Sequence, residues 1–144
     1  VIRTLPPSVR DAALLVARLL LGVVLIAHGW QKVVTNGLGA TAEGFGRMGV
    51  PAAPVSAAYA GIVELVGGAL LLIGAATAVV GVLVVLDMLG AALIVHVGNG
   101  VMVTDGGWEL VGVIGAAALA LAAVGAGRYS VDHGLAARRT PAEV

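Results

Sequence analysis

The chain contains no cysteine in its 144 residues. It therefore holds no disulfide, offers no thiolate to an iron–sulfur cluster and cannot run dithiol exchange. Any redox role must use a bound cofactor or a partner. Aromatic residues make up only 3% and charged residues 11%, with a formal net charge of zero. No basic stripe exists outside the C-terminal tail, so the electrostatic footprint of a nucleic-acid binder is missing and no nucleic-acid partner is expected. The motifs of soluble catalysis are missing too: there is no Walker loop, no G-x-S-x-G elbow and no zincin motif. The glycines of "GAGRYS" end an apolar run rather than open a helix after a strand, which rejects a dinucleotide fingerprint. Ser130 or Asp132 is instead expected to cap the segment that follows.

What remains is hydrocarbon-soluble sequence. Hydrophobic residues make up 60% and the mean hydropathy is +1.07, which places the chain among membrane proteins. Its 22 glycines lie inside apolar stretches, where they allow close helix packing. Four apolar segments, at 12–27, 55–76, 78–97 and 110–126, approach the ~20 residues that cross ~30 Å of hydrocarbon. The sequence thus predicts an all-α fold, an integral membrane four-helix bundle forming one domain over 1–144, with 128–144 as a tail. Arg18 interrupts the first segment too strongly for a cleaved signal peptide. A long first loop, kept out of the second span by Pro51 and Pro54, precedes a very short turn that makes spans two and three a hairpin. Arg3 and Arg10 precede the first span, and Arg128, Arg138 and Arg139 follow the last. Lys32 and Arg47 on the other side are offset by Glu43, Asp105 and Glu109. The positive-inside rule then places both termini in the cytoplasm and the protein in the cell membrane.

The informative residues are those a bilayer should exclude. Arg18, Glu64 and Asp87 lie within spans, where an isolated charge costs ~2.5–3.5 kcal/mol on insertion scales. They are expected to form a buried cluster, Arg18 opposite Glu64 or Asp87, which either fixes helix register or leaves a spare acid for a proton or a ligand head group. Gly22, Gly29, Gly67, Gly68 and Gly112 mark small-residue seams for helix packing. A second constellation gathers at the outer helix ends: His28, Gln31 and Lys32, then His96 and Asn99, then Trp108 and Glu109. These are either interfacial anchors or a site in which two histidines bracket a quinone ring. A bis-histidine haem lacks its supporting pattern, and zinc lacks a paired ligand spacing, so neither haem nor a metal is expected. His96 is nine residues from Asp87, nearly opposite it on a regular helix, so the two should not face one centre.

The segments "ARLLLGVVLIAHGWQKV", "MGVP", "ELVGGALLLIG", "VHVGNG", "GWE" and "GAGRYSVD" resemble, in this order, the DoxX family of small membrane proteins. The resemblance covers the chain from about Arg18 to Asp132. It implies a four-helix membrane protein linked to oxidoreductase function or quinol oxidation, and it picks out Arg18, Gly29, Lys32, Glu64, Gly67, Gly68, His96, Glu109 and the tail from Gly125 to Asp132. Asp87 is not among the family's positions. Two functions follow as expectations. In one, the protein serves quinone-linked or respiratory redox chemistry, with a bound quinone as the cofactor, no cofactor being encoded by a motif. In the other, it is a non-catalytic accessory or assembly subunit that docks, within the lipid bilayer, to a larger respiratory or redox-defence complex.

Overall fold

The computed structural model describes residues 5–139, so Arg3 of the orientation argument lies outside the described residues. The fold is all-helical and built for a membrane. Its helices are α1 (Pro7–Thr35), α2 (Leu38–Arg47), α3 (Ala53–Ile73), α4 (Thr77–Asn99), α5 (Glu109–Val124) and α6 (Val131–Arg139). Helices α1, α3 and α4 are each long and apolar enough to cross a bilayer. The fourth apolar helix, α5, has only 16 residues. At ~1.5 Å per residue it reaches ~24 Å, short of a full span.

Two sequence expectations need correction. The first helix is not confined to 12–27 but runs over the 29 residues Pro7–Thr35, starting at a proline whose missing N–H is no loss in a first turn. The long first loop is largely helix α2, with Thr41 turned inward. The α3–α4 turn is as short as the sequence predicts, only Gly74, Ala75 and Ala76, because Gly74 adopts φ +68 and ends α3 in a left-handed conformation.

Glycine sets how closely the helices approach. An added Cβ on Gly22 would stand 2.8 Å from the Gly68 carbonyl oxygen, and one on Gly68 would stand 2.9 Å from that of Gly22, so α1 and α3 touch backbone to backbone. Gly67 faces Val80 across the α3–α4 contact. Gly81, which the sequence reading passed over, does the same work for α4 and α5, packing on the Ala118 carbonyl and on Ala122. Gly112 is the exception among the predicted seam residues: it accommodates the ring of Trp108 from its own turn and contacts no neighbouring helix. Leu25, Leu71, Val84 and Ala118 fill the centre with no exposed surface. Leu20, Val79, Val113 and Leu119 point outward, as suits the lipid-facing surface of a membrane bundle.

The first turns of α1, the α3–α4 turn and the segment after α5 meet at one end of the bundle. The Arg128 N–H donates to Asp11 Oδ1 at 3.2 Å, and the Asp132 N–H donates to the Gly74 carbonyl at 3.0 Å.

Candidate functional site

The buried charges separate into two groups at opposite ends of the bundle. At the end near the termini, Arg18 is fully buried. Its Nη1 donates to the carbonyls of Leu71 (3.0 Å) and Leu72 (3.3 Å), and its Nη2 to that of Tyr129 (2.5 Å). The first two are carbonyls of the last turn of α3, where helical partners run out; that of Leu71 also accepts from the Gly74 N–H at 3.1 Å. Gly74 is required beside them, since any Cβ there would collide with the guanidinium and with Ser130. Arg18 therefore ties the tail to the end of α3 and pairs with neither Glu64 nor Asp87. The reason is axial distance: Arg18 lies 14 residues before Lys32 on one helix, ~21 Å along its axis.

The rest of this clasp is polar capping. Asp132 accepts from the backbone N–H groups of Ala76 (2.7 Å) and Thr77 (2.9 Å), so it caps α4 from outside. Burial opposes ionisation of its carboxyl, but these N–H donors and the nearby Arg18 charge outweigh burial and hold it below the usual carboxylate range. Ser130 Oγ accepts from the His133 N–H at 3.1 Å and caps α6. Of the two expected caps, Ser130 serves the following segment and Asp132 a different helix.

At the other end, Lys32 Nζ lies 2.6 Å from Glu64 Oε2, with side-chain exposures of 19% and 6%. Both residues sit in π turns, Lys32 in Gln31–Thr35 and Glu64 in Val63–Gly67. A π turn inserts a residue into an α-helix and re-aims the side chains around it, a device common at functional sites. The close approach that lets Lys32 reach Glu64 depends on Gly29, whose added Cβ would stand 2.7 Å from Leu65 Cα. Helix α2 closes over this point, where Thr41 Oγ1 donates to the Lys32 carbonyl at 2.9 Å.

A third π turn, Ala92–His96, lies in α4. The extra residue rotates His96 out of the position opposite Asp87, and both line one cavity, contrary to the regular-helix expectation. His96 Nδ1 donates to the Gly106 carbonyl at 2.7 Å. In the neutral ring this leaves Nε2 as an acceptor. The cavity holds about 600 Å³ and gathers His28, Lys32, Glu64, Asp87 and His96 among largely apolar walls that include Leu25, Phe45, Met48, Tyr59, Met88 and Ile114. Asp87 Oδ2 is buried there and has no hydrogen-bond partner.

With the geometry established, comparison with known proteins places the chain. The profile of the DoxX family matches residues 13–97, more than half of the sequence. The protein belongs to the DoxX family. It is 34% identical over 149 residues to the uncharacterised membrane protein Rv3486 of Mycobacterium tuberculosis, an alignment covering 94% of this chain and 85% of that one. It is 36% identical over 81 residues to the "Putative oxidoreductase CatD" of Bacillus subtilis, covering 56% of this chain and 58% of that one. No solved structure matches.

Within this DoxX protein the predicted site residues divide as follows. His28, Lys32, Glu64, Asp87 and His96 come together at the cavity. Gln31 and Asn99 are exposed outside it, Asn99 donating to the Gly106 carbonyl at 3.3 Å. Glu109 is partly buried at the start of α5 but does not line the cavity. Among the described residues, no three of His, Asp and Glu converge as metal ligands. Sequence reasoning missed Phe45, Met48 and Tyr59, which build the apolar wall. Phe45 is the single phenylalanine of the chain, in a stretch whose glycines hid its helix.

Proposed function

We propose that this DoxX protein binds a quinone-type lipid in its cavity and serves quinone-linked respiratory redox chemistry in the cell membrane, with both termini cytoplasmic. The observation that carries the reading is an apolar chamber of about 600 Å³ among membrane helices, with its ionisable groups collected on the faces of α1, α3 and α4. Its volume lies in the range of small-molecule sites. Its rim includes the outward-facing Val55, Leu86 and Ile94, so a lipophilic molecule reaches it sideways from the bilayer. Lys32 supplies a cationic donor for a ring oxygen, and His96 Nε2 an acceptor for a ring hydroxyl. The name of CatD supports an oxidoreductase link. The chain encodes no electron-carrier motif, so electrons pass to a larger respiratory partner in this reading.

The test is mass analysis of lipids extracted from the protein purified in mild detergent. The expected result is a stoichiometric quinone that is lost on Glu64→Gln, a change that keeps the side chain's shape and removes the ion pair. Absence of quinone from the wild-type protein, with oxidase or dehydrogenase subunits co-purifying, would instead favour the accessory-subunit reading.

A further inference from the structure

The Lys32–Glu64 pair is self-satisfied in its main contact; Asp87 is not. Its Oδ2 is shielded from solvent and unpartnered. Polar atoms buried this way are rarely left alone, because an unmet hydrogen bond in a low-dielectric site is costly. No group of the chain partners it, and two nearby donors make their contacts elsewhere. Lys32 Nζ is held by Glu64 at 2.6 Å, and the Tyr59 hydroxyl donates to the Leu83 carbonyl at 2.8 Å. A ligand seated in the cavity is placed to supply that partner, since Asp87 lines the same space as Lys32, Glu64 and His96.

The chemistry of that partner is restricted. Two carboxyl groups share one lysine here, so between them they hold either a spare negative charge or a proton. An ionised Asp87 accepts only from a donor, whereas a protonated one donates to an acceptor. A hydroxyl satisfies both states. A quinone carbonyl satisfies only the protonated state and is repelled by the ionised one.

Resting on the quinone reading above, we infer that Asp87 seats a ring hydroxyl, so that the cavity selects the reduced hydroquinone over the oxidised quinone. Asp87 is in this sense a residue that discriminates redox state.

The experiment compares binding of a decyl-substituted benzoquinone with that of its two-electron-reduced hydroquinone, under anaerobic reducing conditions for the latter, to the full-length protein in lipid nanodiscs. Wild type is expected to prefer the hydroquinone by about tenfold, the scale of one hydrogen bond to a charged group. Asp87→Asn presents both a donor and an acceptor, so it should accept either form and bring the two affinities to within about threefold. A purely structural role would lower both affinities together and leave their ratio unmoved, which overturns the inference. Equal wild-type affinity for the two forms also overturns it while leaving the quinone site intact. Failure of wild type to bind either form removes the quinone reading itself. If Asp87→Asn does not fold, Asp87→Ser, whose hydroxyl likewise both donates and accepts, is read by the same ratio.

Discussion

Arg18 and Lys32 are two cations on one helix, and the protein uses them in opposite ways. Arg18 is fully buried and donates only to backbone carbonyls, two at the end of α3 and one in the tail. Lys32 is partly exposed to a cavity and meets a carboxylate. A carbonyl cannot change its charge near neutral pH, so the Arg18 contacts hold the bundle end together and offer no chemistry. A lysine–carboxylate pair can redistribute a proton or open toward a ligand. Buried charge in this membrane protein thus serves as a clasp at one end and lines a cavity at the other.

The largest expected effect breaks the clasp. Arg18→Leu leaves the Leu72 and Tyr129 carbonyls without their donor and that of Leu71 with only the Gly74 N–H, and at about 1–3 kcal/mol for each group that stays buried the loss should reach about 3 kcal/mol or more. Unfolding in a graded denaturing detergent would measure it. The comparison also requires that Arg18 and Glu64 be energetically independent. The double variant Arg18→Leu with Glu64→Gln should equal the sum of the single effects within about 0.5 kcal/mol. A larger coupling would mean that the two ends communicate, and the division drawn above would fail.

Gly22→Ala and Gly29→Ala sharpen the contrast, because both crowd the α1–α3 contact but only Gly29 lies beside the Lys32–Glu64 pair. Each should lose about 1–3 kcal/mol of stability by overpacking. Gly29→Ala should in addition lower the quinone content of the purified protein, while Gly22→Ala leaves it unchanged. Equal quinone loss in both would show that the cavity depends on bundle spacing in general.

Asp132→Asn probes the clasp electrostatically. It exchanges a charged cap of α4 for a neutral one, with an expected loss of about 1 kcal/mol near neutral pH. The folded carboxyl titrates below its usual value, so its contribution is fully present above the ordinary carboxylate pKa of about 3.9 and is lost as pH falls through the lower, folded value. The stability difference between wild type and Asp132→Asn should therefore be flat above about pH 5 and shrink in stronger acid. A difference that grows on acidification would mean that Asp132 is not held as an anion.

Much of this was legible in the sequence. Hydropathy reveals the membrane helices because lipid-facing and core-facing residues are both apolar. The seam glycines Gly22, Gly29, Gly67 and Gly68 stand at helical spacing, Lys32 and the histidines stand out as polar residues near span ends, and Glu64 stands out as a charge within a span, though its sequence-based partner was Arg18 rather than Lys32. The partner of Arg18 was hidden because backbone carbonyls at a helix end leave no mark in a sequence. The shared cavity of Asp87 and His96 was hidden because a π turn shifts helical phase without a composition of its own. Helix α2 was hidden by Gly39, Gly44 and Gly46, each costing about 1 kcal/mol in a helix interior, which tertiary contacts such as the Thr41 hydrogen bond must offset.

That hydrogen bond gives the smallest predicted effect and tests how α2 belongs to the open end. Thr41 is buried, and its hydroxyl donates to the carbonyl of Lys32, the residue that faces Glu64. Thr41→Val keeps the shape and removes the donor, so global stability should fall by only about 1 kcal/mol. The local consequence should be larger in kind: α2 loses a side-chain tie to the π turn, and Phe45 no longer has a fixed wall position. Glycines with positive φ at Gly37 and Gly49 flank the helix, so backbone freedom is available on both sides for it to move. Hydrogen exchange should then rise within 38–47 while the α3–α4 hairpin stays protected. Unchanged exchange in α2 would show that apolar contacts alone hold it over the cavity, making the roof of the site as rigid as the Arg18 clasp.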